Sequence, residues 1–463
     1  MDVEKDSSHF VQLIEQQKRV LQGARKRKGL CPRDRKSRDA MLLEFMMASI
    51  ATSAKKQCTE ERLIHSSFIT PAYLPCTTSF DKLRPITIAQ LRLETHHRGT
   101  YLLVRVITPP NRMTGILVLV EDHLEDVTML QLYQQDEENI REATDIVDCG
   151  SILLIKEPFF KMMASGDCGL RVDHLSDVVY LDKEDDRIPN AWRPKIMEIE
   201  DSAEILKIRG NILMGKAKYW QAIKEYSSAL ALSVNPNEKR IIQQNRSLTY
   251  LKSSQYDAAL SDTGYPNFDD AHSEKALFRA AEALYHLARY EDCYKTAEML
   301  CKEFPDNKQA AIVLKRARLR CAEKSSGNYN FKLLQAEARK HRPPHLDHAT
   351  YIGPVEIRQT KHKGRGLFVT KPVKAGDLLL CEKAFCHAYV GENDDSHARF
   401  TFLMNPETNK GFMGGQADLL RMLVQKLYKN PSIASAFTEL HHGSYKAADT
   451  SCVDEQPVVD TYV

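Results

Sequence analysis

The stretch KIRGNILMGKAKYWQAIKEYSSA, residues 207–229, decides how the middle of the chain folds. Gly210, Ala222 and Ala229 are small, Leu213 is aliphatic, and Tyr219 and Tyr226 are large. This spacing lets two antiparallel helices touch at small residues while rings fill the remaining space. The phase recurs with Tyr250, Tyr256 and Ala259, and again with Ala281, Leu284, Tyr290, Cys293 and Ala297, before Pro305 stops the last helix. Aligning Ala222, Ala259 and Cys293 gives offsets of 259 − 222 = 37 and 293 − 259 = 34 residues. A period of that length predicts three stacked helical hairpins, each burying its apolar face against the next.

The register resembles three tetratricopeptide repeats, whose period is about 34 residues. The array is assigned to residues 201–322. In peptide-binding members of that family, the inward helices of successive repeats present a Lys and an Asn, then an Asn, then a Lys and an Arg. Here Lys207 and Asn211 are four apart, Asn245 lies at the equivalent depth of the second repeat, and Lys275 and Arg279 are again four apart. A spacing of four places two side chains on one helical face. Cations and amides on such a face hold a carboxylate pair through charge-assisted hydrogen bonds. The resemblance therefore implies capture of a protein or peptide with an acidic C-terminus, such as the Glu-Glu-Val-Asp tail of Hsp70 and Hsp90 chaperones. A polar helix face kept only for solvation is the alternative.

Length and composition bound the rest. The 463 residues suffice for about three domains with separate cores. A net charge of +3 gives the whole molecule no polyanion preference. The eleven cysteines include no Cys-x-x-Cys pair, which speaks against a disulfide framework or a zinc site and for a reducing compartment. The apolar run 116–120 is far shorter than the roughly 20 residues of a membrane helix. Residues 1–6 are charged rather than signal-like, so a cytoplasmic or nuclear location is expected, with no membrane partner.

Residues 1–83 read as a basic helical region. Ten Lys or Arg and one Asp lie between positions 18 and 38, a composition that suits nuclear import, a polyanion or a solvated arm. Met41, Leu42, Phe45 and Met46 follow at helical spacing, so part of this region is expected to dock on an apolar surface. Over 84–182 the period becomes that of strands, at 101–107, 115–120, 127–133, 152–155 and 170–181, with a helix over 137–146. Three strands, a helix and two strands is the order of an OB-like small β-barrel. Between His96 and Asp182 there are 7 Lys or Arg and 15 Asp or Glu, so 7 − 15 = −8. A phosphate backbone would be repelled, making nucleic acid an unlikely partner and a protein contact the expected one. Pro189 and Pro194 mark a linker over 183–200, and a helical linker is assigned to 323–350 with Pro343 and Pro344 inside it.

The segment 351–463 carries the remaining chemistry. Gly353-Pro354-Val355-Glu356-Ile357 is followed by Lys363-Gly364-Arg365-Gly366-Leu367-Phe368-Val369 and by residues 373–382, VKAGDLLLCE. Two glycines beside Arg365 permit a sharp turn and close approach to a ligand. The passage resembles the opening of a SET domain, the lysine methyltransferase fold. That resemblance implies that Lys363, Gly364, Arg365 and Gly366 border an S-adenosyl-L-methionine site, and that the reaction moves a methyl group to a neutral lysine amine of a protein such as a histone. The pattern then departs from the family. No Asn is followed by His, no cysteine cluster follows Cys386, and Leu419, Leu420, Met422, Leu423 and Leu427 instead read as a helical insertion. Cys381 and Cys386 lack two further paired ligands and read as strand and core positions, and Tyr462 lacks the surrounding motif of a catalytic tyrosine. No catalytic or metal residue is assigned.

The expected architecture is thus multidomain α+β: an OB-like barrel, a three-repeat α-solenoid and a partial SET β-fold with a helical insertion. In plan it is similar to fungal-type proteins with tetratricopeptide repeats before a SET domain, related to the SET and MYND lysine methyltransferases but with no MYND zinc finger. Two functions are expected from it. One is a methyltransferase whose repeats recruit a partner and whose catalytic half is missing from these 463 residues. The other is a non-catalytic adaptor that binds acidic chaperone tails.

Overall fold

The computed structural model describes residues 8–32, 35–58, 64–163, 166–182, 184–193, 202–233, 235–268, 273–341, 343–389, 400–405, 410–440 and 443–462. The chain divides into two compact units, residues 1–197 together with 392–463, and residues 198–391. The segment 351–463 is therefore shared between them.

The first unit begins with helices α1 (Ser8–Lys26) and α2 (Arg38–Cys58). Its strands are β1 (Ile64–Phe68), β2 (Arg84–Ile86), β3 (Thr95–His96), β4 (Thr100–Val106), β5 (Asn111–Arg112), β6 (Ile116–Glu121) and β7 (Val127–Leu132). A short α3 (Ala143–Ile146) precedes β8 (Ile152–Lys156), β9 (Phe159–Met162), β10 (Cys168–Val172) and β11 (Val178–Leu181). The main ladder runs β11-β8-β4-β6-β7-β10-β9-β3, with β2 on β4 and β5 on β6. Along this ladder β7 and β10 run parallel while their other neighbours are antiparallel. β8 pairs with β4 and β9 with β10, although only Glu157 and Pro158 separate β8 from β9 in sequence.

Alternation explains the core. Leu102, Val104 and Val106 of β4 point inward, as do Ile116, Val118 and Val120 of β6, and they meet Leu130, Leu132, Leu153, Ile155 and Leu170 in one buried cluster. The expected strands are present, except that 170–181 is two strands interrupted by a turn of 3-10 helix at Leu175–Asp177. The helix expected over 137–146 shortens to α3. Arg112 takes the carbonyls of Asp136 at 2.6 Å and Arg141 at 3.1 Å, so side-chain donors replace part of the helical ladder there.

The basic region is partly structural. Arg35 donates to the Ile88 carbonyl at 2.7 Å, and Lys36 bridges Glu44 at 2.6 Å and Asp167 at 2.9 Å. Arg38 and Arg105 close on the two oxygens of buried Glu121. Of the four apolar residues at helical spacing, Phe45 is buried and Met41 and Leu42 are half-buried, but Met46 is 57% exposed. The inner face of α2 is narrower than four adjacent apolar residues suggest, because 100° per residue carries Met46 off it.

In the second unit α4 (Ala203–Gly215) pairs with α5 (Tyr219–Leu232), α6 (Pro236–Lys252) with α7 (Tyr256–Ser261), and α8 (Glu274–His286) with α9 (Tyr290–Glu303). The helix α10 (Lys308–Ser326) packs on α8 and α9, and α11 (Phe331–Lys340) follows. Ala222, Ala259 and Cys293, the three aligned positions, are all fully buried. A Cβ on Gly210 would stand 2.5 Å from the Tyr226 ring, so only glycine allows α4 and α5 to approach around that tyrosine. This part of the unit is an array of tetratricopeptide-type helical hairpins.

After α11 the unit becomes β. The strands β12 (Tyr351–Ile352) and β15 (Leu380–Cys381) pair with each other, and β13 (Val355–Thr360) pairs with β14 (Gly364–Val369) in register Val355↔Val369 to Thr360↔Gly364. Both are two-stranded ladders. Ile357 and Leu367, opposite each other on one face, are 67% and 55% exposed.

The C-terminal residues return to the first unit. There β16 (Phe400–Asn405) pairs in parallel with β1 and antiparallel with β17 (Lys410–Met413). The helix α12 (Gly415–Lys429) carries the expected apolar spacing and is pinned to the β7–α3 connection, where Gln425 donates to the Gln134 carbonyl at 2.6 Å and Lys429 pairs with Asp136 at 2.7 Å. Tyr462 is half-buried, and its hydroxyl lies 2.6 Å from that of Thr70, which in turn donates to Asp173 at 3.3 Å. Arg171 grips Asp173 through Nε and Nη2 at 2.8–3.0 Å. Burial would raise the Asp173 carboxyl, but this pairing holds it below the ordinary carboxylate value.

Candidate functional site

The five residues expected to grip carboxylates lie on α4, α6 and α8, the first helices of the three hairpins. Lys207 is one turn into α4, with its ammonium on Glu204. Asn211, one turn on, is exposed, and its Oδ1 accepts from the Tyr226 hydroxyl at 2.7 Å and from Asn245 Nδ2 at 3.0 Å. The structure thus brings the asparagines of the first two repeats into direct contact. Arg279 is only 8% exposed and donates through Nη1 to the Gln244 carbonyl, beside Asn245. Lys275, one turn before Arg279, is exposed and has no ion pair among the described residues.

Tyr226 stands beneath this group and was not assigned a site role in the sequence. It is 1% exposed, and burial pushes its phenol up to about 12, with the Arg279 charge drawing it back. The phenol is therefore a neutral donor that fixes Asn211. Burial also brings the Arg279 guanidinium down to about 10, which leaves it protonated at neutral pH. The only sequence signal for this support is the pair Gly210 and Tyr226, the small residue making room for the large one.

Chemically, the face offers donors in excess. The Asn211 amide nitrogen has no acceptor among the described residues, Lys275 is open to solvent, and the exposed Lys207–Glu204 pair is worth little and exchanges readily. An incoming carboxylate supplies the acceptors this surface lacks.

Lys363, Gly364, Arg365 and Gly366 occupy the turn and first half of β14, where all but half-buried Gly366 are exposed. Gly364 has φ +70°, which the tight turn requires, and a Cβ there would meet nothing within 4 Å. These four residues lie on a largely solvent-facing turn, and no chemical step is derived through S-adenosyl-L-methionine. Cys381 and Cys386 are half-buried thiols, and no metal-holding cluster occurs among the described residues.

No family model matches the chain. It is 38% identical over 416 residues to a Gibberella zeae protein named methyltransferase, covering 90% of this chain and 57% of that protein. The chain thus spans little more than half the length of that relative. It is 33% identical over 126 residues to Protein unc-45 homolog B of Xenopus tropicalis, covering 27% of this chain and 14% of that one. Among solved structures, the second tetratricopeptide domain of human RPAP3 in complex with an HSP70 peptide is 26% identical, covering 25% of this chain and 98% of that one, with a TM-score of 0.23. The myosin chaperone UNC-45 from C. elegans in complex with an Hsp90 peptide is 25% identical, covering 30% and 15%, with a TM-score of 0.25. By its own helix pairing the chain is an α+β protein whose second unit contains tetratricopeptide-type hairpins. It shares most of its length with a protein that carries a methyltransferase name.

Proposed function

We propose that this chain is a methyltransferase-related protein whose repeats hold the acidic C-terminus of a protein partner, an Hsp70- or Hsp90-type tail being the best match to the clamp. The observation that carries this reading is the Asn245–Asn211–Tyr226 hydrogen-bonded cluster, flanked by Lys207, Lys275 and Arg279. Such a cluster positions amide and cationic donors before a ligand arrives, which lowers the ordering cost of binding. The chain is expected to bind a peptide ending in paired acidic residues with micromolar affinity. Lys275→Ala or Arg279→Ala should each weaken that binding about tenfold, since hydrogen bonds to charged groups contribute roughly 1.5–3 kcal/mol. Unchanged affinity in both variants would overturn the clamp.

The second reading, a SET-type protein-lysine methyltransferase using S-adenosyl-L-methionine, is favoured by the sequence pattern over 353–382 and by the identity to the methyltransferase-named relative. On this reading the β13–β14 hairpin forms one wall of a cofactor site and does not hold the cofactor alone. The β-rich part is read as an OB-type barrel. Support comes from the parallel β7–β10 pairing and from sequence-adjacent β8 and β9 binding opposite sides of the ladder. Its acidic charge suits a protein contact rather than nucleic acid. The cytoplasm or nucleus is the proposed location, consistent with eleven scattered cysteines.

A further inference from the structure

Beyond the clamp, the second unit contains another carboxylate held by the repeats, and it belongs to the chain itself. Asp347 follows α11, and its Oδ1 accepts from the Tyr285 hydroxyl at 2.8 Å. Its Oδ2 faces Arg316 Nε and Nη2 at 3.4 Å and Arg320 Nη1 at 3.6 Å. The Arg316 guanidinium lies 4.2 Å from the centre of the Tyr285 ring, which orients it toward the same oxygen. Arg320 is buried, its Nη2 is 2.7 Å from Glu323, and its Nε has no partner. One phenol and two guanidinium groups from α8 and α10 thus converge on a single carboxylate.

The segment does not need Asp347 to stay in place. The Tyr329 hydroxyl donates to the Ala349 carbonyl at 2.7 Å, Ala349 N–H donates to Glu323 at 2.9 Å, and His348 lies between Glu323 and Glu337 at 2.8 and 3.0 Å. Asp347 itself is half exposed, as is Arg316, so the contact is at the surface and open to exchange. It also lies near the clamp. Tyr285 is six residues beyond Arg279 on α8, about 9 Å along the axis at 1.5 Å per residue. Tyr285 also lies about 120° round the axis from Arg279, toward α10 rather than α6, so an extended peptide needs more than about three residues to pass from one to the other. The flank of α8 that carries Tyr285 faces α10, with the half-buried Glu282 nearby.

We propose that Tyr285, Arg316 and Arg320 form a second carboxylate site, filled here by the chain's own Asp347, and that an acidic side chain upstream in a bound peptide displaces Asp347 from it. The proposal rests on the clamp reading and deepens it: the preferred ligand carries an acidic residue several positions before its acidic terminus. Because Asp347 is tethered, it competes at high local concentration and masks this preference in the natural chain.

The test uses the full chain in fluorescence anisotropy with two labelled peptides that share an acidic terminus. One has Asp and the other Asn at the upstream position, and each is made with a free and an amidated C-terminus. Natural protein should prefer the Asp peptide less than about twofold, and Asp347→Ala should raise the preference to about fivefold, the upper range for an exposed ion pair. Adding Arg316→Ala should abolish it. Asp347→Asn keeps an acceptor for Tyr285 and should give the same preference, which guards against a folding defect in the alanine variant. If amidation weakens binding but neither Asp347 variant gains a preference for Asp, the second site is overturned and the clamp stands. If amidation changes nothing while the Asp preference still appears, the clamp falls and the second site stands.

Discussion

The repeat array and the hairpin that follows it lie in the same unit and are built on opposite terms. In the array every aligned small position is fully buried, and two of the candidate ligand-binding side chains are held from within, Asn211 by Tyr226 and Arg279 by the Gln244 carbonyl. In β13–β14 the backbone pairs are complete, but Ile357, Leu367 and Val369 face solvent, and both outer edges lack a neighbouring strand among the described residues. A site becomes competent when its side chains are held by a packed surround, not when its motif is present. By that standard Asn211 and Arg279 of the proposed clamp are better held than the Lys363–Gly366 turn.

The largest test of this contrast is truncation. Tyr226→Ala removes a fully buried ring and should destabilise the repeats by about 4 kcal/mol, read as a shift in a urea unfolding midpoint. Leu367→Ala in the hairpin should cost less than about 0.5 kcal/mol, as for other exposed positions. Equal costs would break the comparison. A second test is cofactor binding. Titration of the full chain with S-adenosyl-L-methionine should give no measurable heat and no transfer of a labelled methyl group to protein. Saturable binding would mean that the turn is enclosed after all.

A smaller effect concerns Glu282. Burial holds its carboxyl above the ordinary value, only partly offset by Arg316. A raised folded-state value means the native chain binds this proton more tightly. The associated stability is therefore complete below the ordinary carboxyl range and is lost as pH rises through the raised value. Glu282→Gln should stabilise the repeats slightly at neutral pH, by less than about 1 kcal/mol, and the gain should vanish in acid. A gain that persists at low pH would assign it to packing instead.

The sequence made the array legible because Gly210, Ala222 and Tyr226 each leave a mark at a fixed period, and packing small against large is a local signal. It also placed Lys207, Asn211, Asn245, Lys275 and Arg279 on the first helices of the hairpins, since a spacing of four is enough to define a face. It could not indicate that the Tyr226 hydroxyl supports Asn211, because a buried tyrosine reads the same whether or not its hydroxyl has a task. Pairings between distant segments were equally hidden. Nothing in residues 400–405 marks them as partners of 64–68, and the Thr70–Tyr462 contact joins positions that no periodicity connects.

The central claim is that the first helices of the repeats hold a terminal carboxylate. Calorimetric titration of the full chain with one acidic-tailed peptide, prepared once as the free acid and once as the C-terminal amide, tests it most directly. The account predicts micromolar binding of the acid and at least about tenfold weaker binding of the amide, the loss expected when a charge-assisted contact is removed. Equal affinity for the two would contradict it.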